Sequence, residues 1–254
     1  MKFSRTLFDS SGKFRKNERG TADAGNGNGM KTQRSTSRGR GFTLTELLVV
    51  ICVVAVVAVL LLPGLAASKR KNEKINCINN LKQIGLASRI WEGDNGDKYP
   101  MQSALTNDAM IKLISDGKAY VLWQTMSNVL GTPKNLVCPA DKQRTAAVSF
   151  TQNFSDANIS YFISLDASDA YPQMILFGDD NLAVNGVRVR PGILNLWTNT
   201  PFSWTKERHG GAGNIGLSDG SIQTTTSTAL QAAVQSVQQG FQPTATSANG
   251  LLIP

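Results

Sequence analysis

The chain has 254 residues, 41% of them hydrophobic and 17% charged, enough for one folded domain of ordinary size beside its other segments. Its formal charge of +8 would suit a nucleic-acid binder, but residues 1–41 hold ten Lys/Arg against three Asp/Glu and so carry +7 of it. The remaining residues are nearly neutral, which removes the electrostatic case for a nucleic-acid partner.

Residues 1–41 lack apolar periodicity, are rich in Gly, Asn, Ser and Arg, and read as a polar leader. Met30 offers a second start within it, and either start leaves the same sequence from residue 42 onward. Residues 47–62 then run for sixteen positions without a charged side chain, about 24 Å of helix. With the apolar residues on either side, the segment reaches the roughly 20 needed to cross a bilayer core. Glu46 stands at its rim, where a carboxylate is costly if it sits deep. A cut between Gly41 and Phe42 would create an α-amino group about one helical turn away, and the acid would gain a partner.

Gly41, Phe42, Thr43, Leu44 and Glu46, followed at once by the apolar run and by Pro63, resemble the type IV prepilin and pseudopilin family. The resemblance implies that a membrane prepilin peptidase cuts after Gly41 and methylates Phe42, and that Glu46 guides assembly into a helical filament with other pilin-like subunits on an inner-membrane platform. It also implies a single-pass bacterial inner-membrane protein, leader cytoplasmic and C-terminal domain periplasmic or displayed in a surface filament. Charge alone does not set that orientation, because Lys69, Arg70, Lys71 and Lys74 follow the helix as Lys31, Arg34, Arg38 and Arg40 precede it. A conventional secretory signal is the competing reading, with a run longer than usual and a poor cleavage site at residues 65–67.

Pro63 and Gly64 should kink or loosen the helix as it leaves the apolar zone. Beyond them Cys77, Leu81, Ile84, Ser88 and Trp91 recur at alternating spacings of four and three, one stripe made to pack on a sheet. The turn-rich residues 93–97 should stop it. Residues 77–86 and Tyr99-Pro100 extend the resemblance to a pseudopilin-like subgroup numerous in some bacterial lineages. A short helix is expected over residues 108–115. Strands are expected over 147–150, 159–164, 174–177, 187–189, 193–197, 214–217 and 221–225, all short and bounded by Asp, Asn, Gly or Pro. Asp219-Gly220 should turn a hairpin. A last helix from about Ser227 to Gly240 should place Leu230, Ala233, Val234 and Val237 on one face.

The expected architecture is therefore α+β, a long N-terminal helix on a small antiparallel sheet, with the pilin-like form that the resemblance implies. Its parts are a leader over 1–41, a transmembrane and assembly helix over 42–67, the periplasmic half of that helix over 68–92, a globular domain over 93–240 and a polar tail over 241–254.

Cys52 falls in the apolar run, whereas Cys77 and Cys138 would lie outside the cytoplasm and are a disulfide candidate. Two thiols and one distant histidine look too few for a closed zinc site. That histidine, His209, stands ten residues before Asp219-Gly220, a His-x9-Asp-Gly pattern that resembles the C-terminal processing-associated motif of the same subgroup. Its expected use is to cap or hydrogen-bond the glycine-rich turn. No cofactor is expected; Asp179 and Asp180 are weak calcium candidates, although a solvated turn describes residues 179–181 better. The favoured function is a non-enzymatic pseudopilin subunit of a type II secretion-like or type IV pilus-like filament. A surface pilin or adhesin is the alternative, and a membrane-anchored periplasmic enzyme or binding protein is the alternative of another class. The enzyme reading would pair His209 with Asp219 and a serine, without a nucleophile-elbow pattern to support it.

Overall fold

The computed structural model describes residues 41–104, 106–195, 200–240 and 250–254, with the side chains of 237–240 left aside. Most of the leader, the end of the strand expected over 193–197 and most of the expected tail thus lie outside the described residues. The chain divides into two units, residues 1–51 and 52–254.

Helix α1 spans Leu44–Asp94 and carries Pro63 inside it. It is the one helix among the described residues long and apolar enough to cross a membrane, with a mean hydropathy of 3.2 over its most apolar 18 residues and none of that window buried. In the first unit its start is fixed locally. Thr43 is the residue before the helix, and its N–H and hydroxyl both donate to Glu46 Oε2 at 2.9 Å while Glu46 N–H returns a bond to Thr43 Oγ1 at 3.2 Å. This is a capping box, Thr-x-x-Glu, closing two of the unpaired donors of the first turn.

In the second unit the stripe is buried as its spacing requires: Cys77, Leu81, Ile84, Ser88 and Trp91 face inward, joined by Gly85, Ala87 and Glu92. Four short helices follow, α2 (Pro100–Ala104), α3 (Asp108–Ser115), α4 (Tyr120–Thr125) and α5 (Ser127–Leu130). Helix α3 has the expected bounds because Asn107 Oδ1 accepts the N–H groups of Ala109 and Met110.

The strands are β1 (Tyr161–Ser164), β2 (Ile175–Asp179), β3 (Leu182–Val184), β4 (Val187–Arg188), β5 (Gly192–Asn195), β6 (Phe202–Trp204), β7 (Gly213–Leu217), β8 (Ile222–Thr225) and β9 (Gly250–Ile253). All pairings are antiparallel. They form a six-stranded sheet in the order β5-β9-β1-β2-β7-β8 and a three-stranded sheet in the order β4-β3-β6. Helix α6 (Ser227–Gly240) precedes β9. The β7–β8 hairpin turns where expected, with Gly220 at φ +85° and Asp219 Oδ1 accepting the Ser221 N–H.

Three expectations change. Residues 147–150 form no strand, although Ala147 and Phe150 are buried in the core. Strands β3 and β6 appear where none was expected, since each is only three residues long. The tail reading fails at its end: Gly250–Ile253 is a fully buried strand between β5 and β1.

Two hydrophobic clusters lie on the two faces of the larger sheet. One joins the α1 stripe to Tyr161, Ile163, Phe177 and Leu252; the other joins Phe162, Ile175, Ile215, Leu251 and Ile253 to Trp204, Leu230 and Val234. Neighbouring residues of β1 and of β9 enter opposite clusters, as the period of two demands. Glycines permit the tight packing of rings on the sheet. A Cβ on Gly216 would stand 2.1 Å from Phe177 Cε2, so Gly216→Ala should cost about 1–3 kcal/mol, read as a lowered urea midpoint with an unchanged slope.

Candidate functional site

Cys77 points from α1 toward the sheet. Opposite it, the β1–β2 register pairs Tyr161 with Asp179, which sets both side chains on the face that α1 covers. Cys138 arrives from the segment after the 3₁₀ turn Pro133–Leu136. His209 enters from the loop between β6 and β7, where it adopts φ +52° and is followed by Gly210 at +70° and Gly211 at +85°. Successive left-handed residues coil the chain tightly, and histidine tolerates that region better than most side chains.

The ligand atoms of Cys77, Cys138, Asp179 and His209 all lie within 4.8 Å of one another. Cys77 Sγ is 3.2 Å from Asp179 Oδ1, Cys138 Sγ is 3.3 Å from His209 Nε2, and His209 Nε2 is 3.6 Å from Asp179 Oδ2. Cys77, Cys138 and Asp179 are 0% exposed and the His209 side chain 1%. A second layer holds them. The Asn214 backbone N–H and Nδ2 donate to Asp179 Oδ2 at 2.7 and 2.9 Å, and Nδ2 also approaches Cys77 Sγ at 3.5 Å. Thr224 Oγ1 donates to Asn214 Oδ1 at 2.7 Å and fixes the amide, while the Tyr161 hydroxyl lies 3.4 Å from Cys77 Sγ.

The two thiols titrate as a pair. Cys138 is drawn down to about 6, first by its hydrogen bond with Cys77 and then by His209, which outweigh burial. Cys77 is pushed up, first by its contact with Cys138, then by burial and by the charge of Asp179. Burial lowers the basicity of His209, but Cys138 and Asp179 more than offset this and leave its pKa raised.

Asp180, the next residue, faces an adjoining ionic cluster. Its carboxylate pairs with Arg208 and with Arg144, and both arginines also meet Asp141. Arg208 donates to Ser160 O at 3.1 Å, and the Ser160 hydroxyl donates to Asp141 Oδ2 at 2.8 Å. Two guanidinium groups and two carboxylates balance in charge, as a buried set must.

Several sequence expectations are thereby corrected. Cys77 and Cys138 do meet, their sulfurs within 4.8 Å of each other and with no bond drawn between them. His209 does not cap its turn; it reaches into the cluster, so distance along the chain misjudged the number of ligands available together. Residues 179–181 are not a solvated turn, for all three are buried. Their oxygens form no all-oxygen cage of the kind calcium takes, because arginines hold Asp180 while two thiols and an imidazole surround Asp179. Asp219 remains in the hairpin turn and is bound to Ser221, so the pairing with His209 that the enzyme reading needed is not made. A Cys138–His209–Asp179 relay fails as well, since the same Nε2 faces both the thiol and the carboxylate and leaves no second nitrogen to orient. The sequence analysis missed Asp179 as a partner of the thiols, and Tyr161 and Asn214 altogether. No local pattern marks them; only the strand register does.

Gly41, Phe42 and Glu46 are the residues expected to serve processing and assembly. Gly41 and Phe42 are exposed, with Phe42 at 77%, and Glu46 closes the capping box.

No family model matches the chain, and no solved structure matches it. Two curated proteins are similar over part of it. The type II secretion system core protein G of Escherichia coli (strain K12) is 33% identical over 81 residues, 32% of this chain and 52% of that protein. The type II secretion system core protein G of Pectobacterium carotovorum subsp. carotovorum is 34% identical over 67 residues, 26% of this chain and 42% of its own length. The chain thus spans about half the length of the curated relatives it matches.

Proposed function

We propose that this chain is a pseudopilin-like, non-enzymatic subunit of a type II secretion-like or type IV pilus-like filament, a reading that its partial similarity to two type II secretion core proteins supports. The observation that carries this reading is the partial similarity to two type II secretion core proteins in a chain whose first helix also carries an exposed, uninterrupted apolar run over residues 47–62. Prepilin peptidase cuts after Gly41 and methylates Phe42, and the inner-membrane platform then moves the helix from lipid into a bundle of similar helices. The C-terminal domain faces the periplasm.

Glu46 has two roles in this reading, a cap on α1 and a charge that pairs with the Phe42 amine of a neighbour. Glutamine at this position of a capping box keeps the cap and removes the charge. Both Glu46→Ala and Glu46→Gln are expected to be cut normally yet to enter filaments at least tenfold less than wild type, measured by immunoblotting of sheared filaments beside N-terminal peptide sequencing. A glutamine variant that assembles like wild type would confine Glu46 to capping. A mature protein starting near Ser68 instead of Phe42 would remove the filament reading.

A further inference from the structure

We propose that Cys77, Cys138, His209 and Asp179 form a tetrahedral zinc site that ties helix α1 to the β-sheet domain. Zinc binds thiolate at about 2.3 Å, imidazole at about 2.0–2.1 Å and carboxylate at about 2.0–2.2 Å, so tetrahedral ligands stand about 3.3–3.8 Å apart. Two separations between ligand atoms come near that spacing, 3.2 Å for Cys77 Sγ and Asp179 Oδ1 and 3.3 Å for Cys138 Sγ and His209 Nε2; His209 Nε2 lies 3.6 Å from the other carboxylate oxygen, Oδ2, and all four groups bring a ligand atom within 4.8 Å of the others. Two sulfurs, one imidazole nitrogen and one carboxylate oxygen suit zinc, and the two thiols disfavour magnesium and calcium.

The surroundings are those of a metal site. Asn214 occupies Asp179 Oδ2 with two hydrogen bonds, which leaves Oδ1, the oxygen beside Cys77, to ligate. Its amide is in turn fixed by Thr224, so the carboxylate is oriented by a chain of contacts of the kind that tunes bound metals. Tyr161 and Asn214 both lie within hydrogen-bonding reach of Cys77 Sγ and would support a thiolate there. A disulfide would use the cysteines but leave Asp179 and His209 buried against it, whereas one divalent ion engages all four groups. The His209–Gly210 turn also lines a groove of about 560 Å³ beside the cluster. All four ligands are enclosed, so the site has no open position for substrate and its work is structural. Each ligand comes from a different segment, and the ion would fasten α1, the 136–141 loop, the end of β2 and the β6–β7 loop at one point.

The test uses the full chain purified from membranes in detergent without reductant or chelator. Metal analysis and native mass spectrometry are expected to give one zinc per chain, and Co²⁺ exchanged into the site should show the visible absorption of a tetrahedral centre with a sulfur charge-transfer band. Chelation should lower Tm by about 10 °C or more. His209→Ala should weaken zinc binding at least tenfold, and unchanged affinity would overturn the four-ligand site. Should that variant fail to fold, cobalt spectra of the wild-type chain still decide. A two-proton mass deficit locating a Cys77–Cys138 bridge, or reduced protein that takes up no stoichiometric Zn²⁺ or Co²⁺, would overturn the proposal.

Discussion

Deleting residues 250–254 is expected to leave the domain unfolded at 25 °C, seen as loss of the near-ultraviolet dichroism and rapid proteolysis of the full chain in detergent. Leu251, Leu252 and Ile253 are 3%, 0% and 2% exposed, and burial of each such side chain contributes about 1.5–3 kcal/mol. Their sum approaches the whole stability of an ordinary domain, about 5–15 kcal/mol. Leu252 belongs to the cluster under α1 while Leu251 and Ile253 belong to the other, so both cores lose volume together. Among the described residues, strand β5 would lose its one partner in the sheet and β1 would become an exposed edge. The Gly250 N–H bond to Asp166 and the bond from Arg144 to Pro254 O would also go. A truncated chain melting within a few degrees of wild type would show that β9 is an accessory strand.

Asp180→Ala should cost about 3–5 kcal/mol, the usual effect of removing one partner from a buried ion pair. Asp180 is 2% exposed and Arg208 3%, and the change leaves two guanidinium groups sharing Asp141 alone. The loss comes from the uncompensated charge. Asp180→Ala combined with Arg208→Met should therefore lose clearly less than the two single variants added together, as a double-mutant cycle in urea would measure. Additive losses would mean that the pair makes no specific contribution.

The same cluster gives the protein an acid limit. Burial pushes the Asp141 carboxyl up, but Arg208, the Gln143 N–H, Ser160 and Arg144 together outweigh it and hold the group below its ordinary value. The unfolded chain thus takes up the proton first as pH falls. The stability from Asp141 is complete above its ordinary value near 4 and is lost as pH drops through the lower folded value.

Much of the first half of the chain was legible because its information is local. The apolar run, the Cys77-to-Trp91 stripe and the short helix over 108–115, like the Asp219-Gly220 turn further along, each lie within a few residues of what they determine; the Thr43–Glu46 capping box and the Asn107 cap are equally local but went unread. Strand β9 was hidden because three apolar residues after a polar stretch look the same whether they end a tail or fill a slot between two strands. Strands β3 and β6 were hidden by their length, since three residues carry too little alternation to distinguish strand from loop.

The buried clusters mark the limit of what sequence alone determined. It established the membrane-type helix, the inward placement of Cys77 and the turn chemistry at Asp219-Gly220, because spacing and backbone preference act over short range. That Cys77, Cys138, Asp179 and His209 share one site, and that Asp180 turns away from it toward two arginines, was decided only by tertiary structure. Pairing β1 with β2 and laying α1 across them joins positions spread over about 130 residues, and no local propensity acts across that distance.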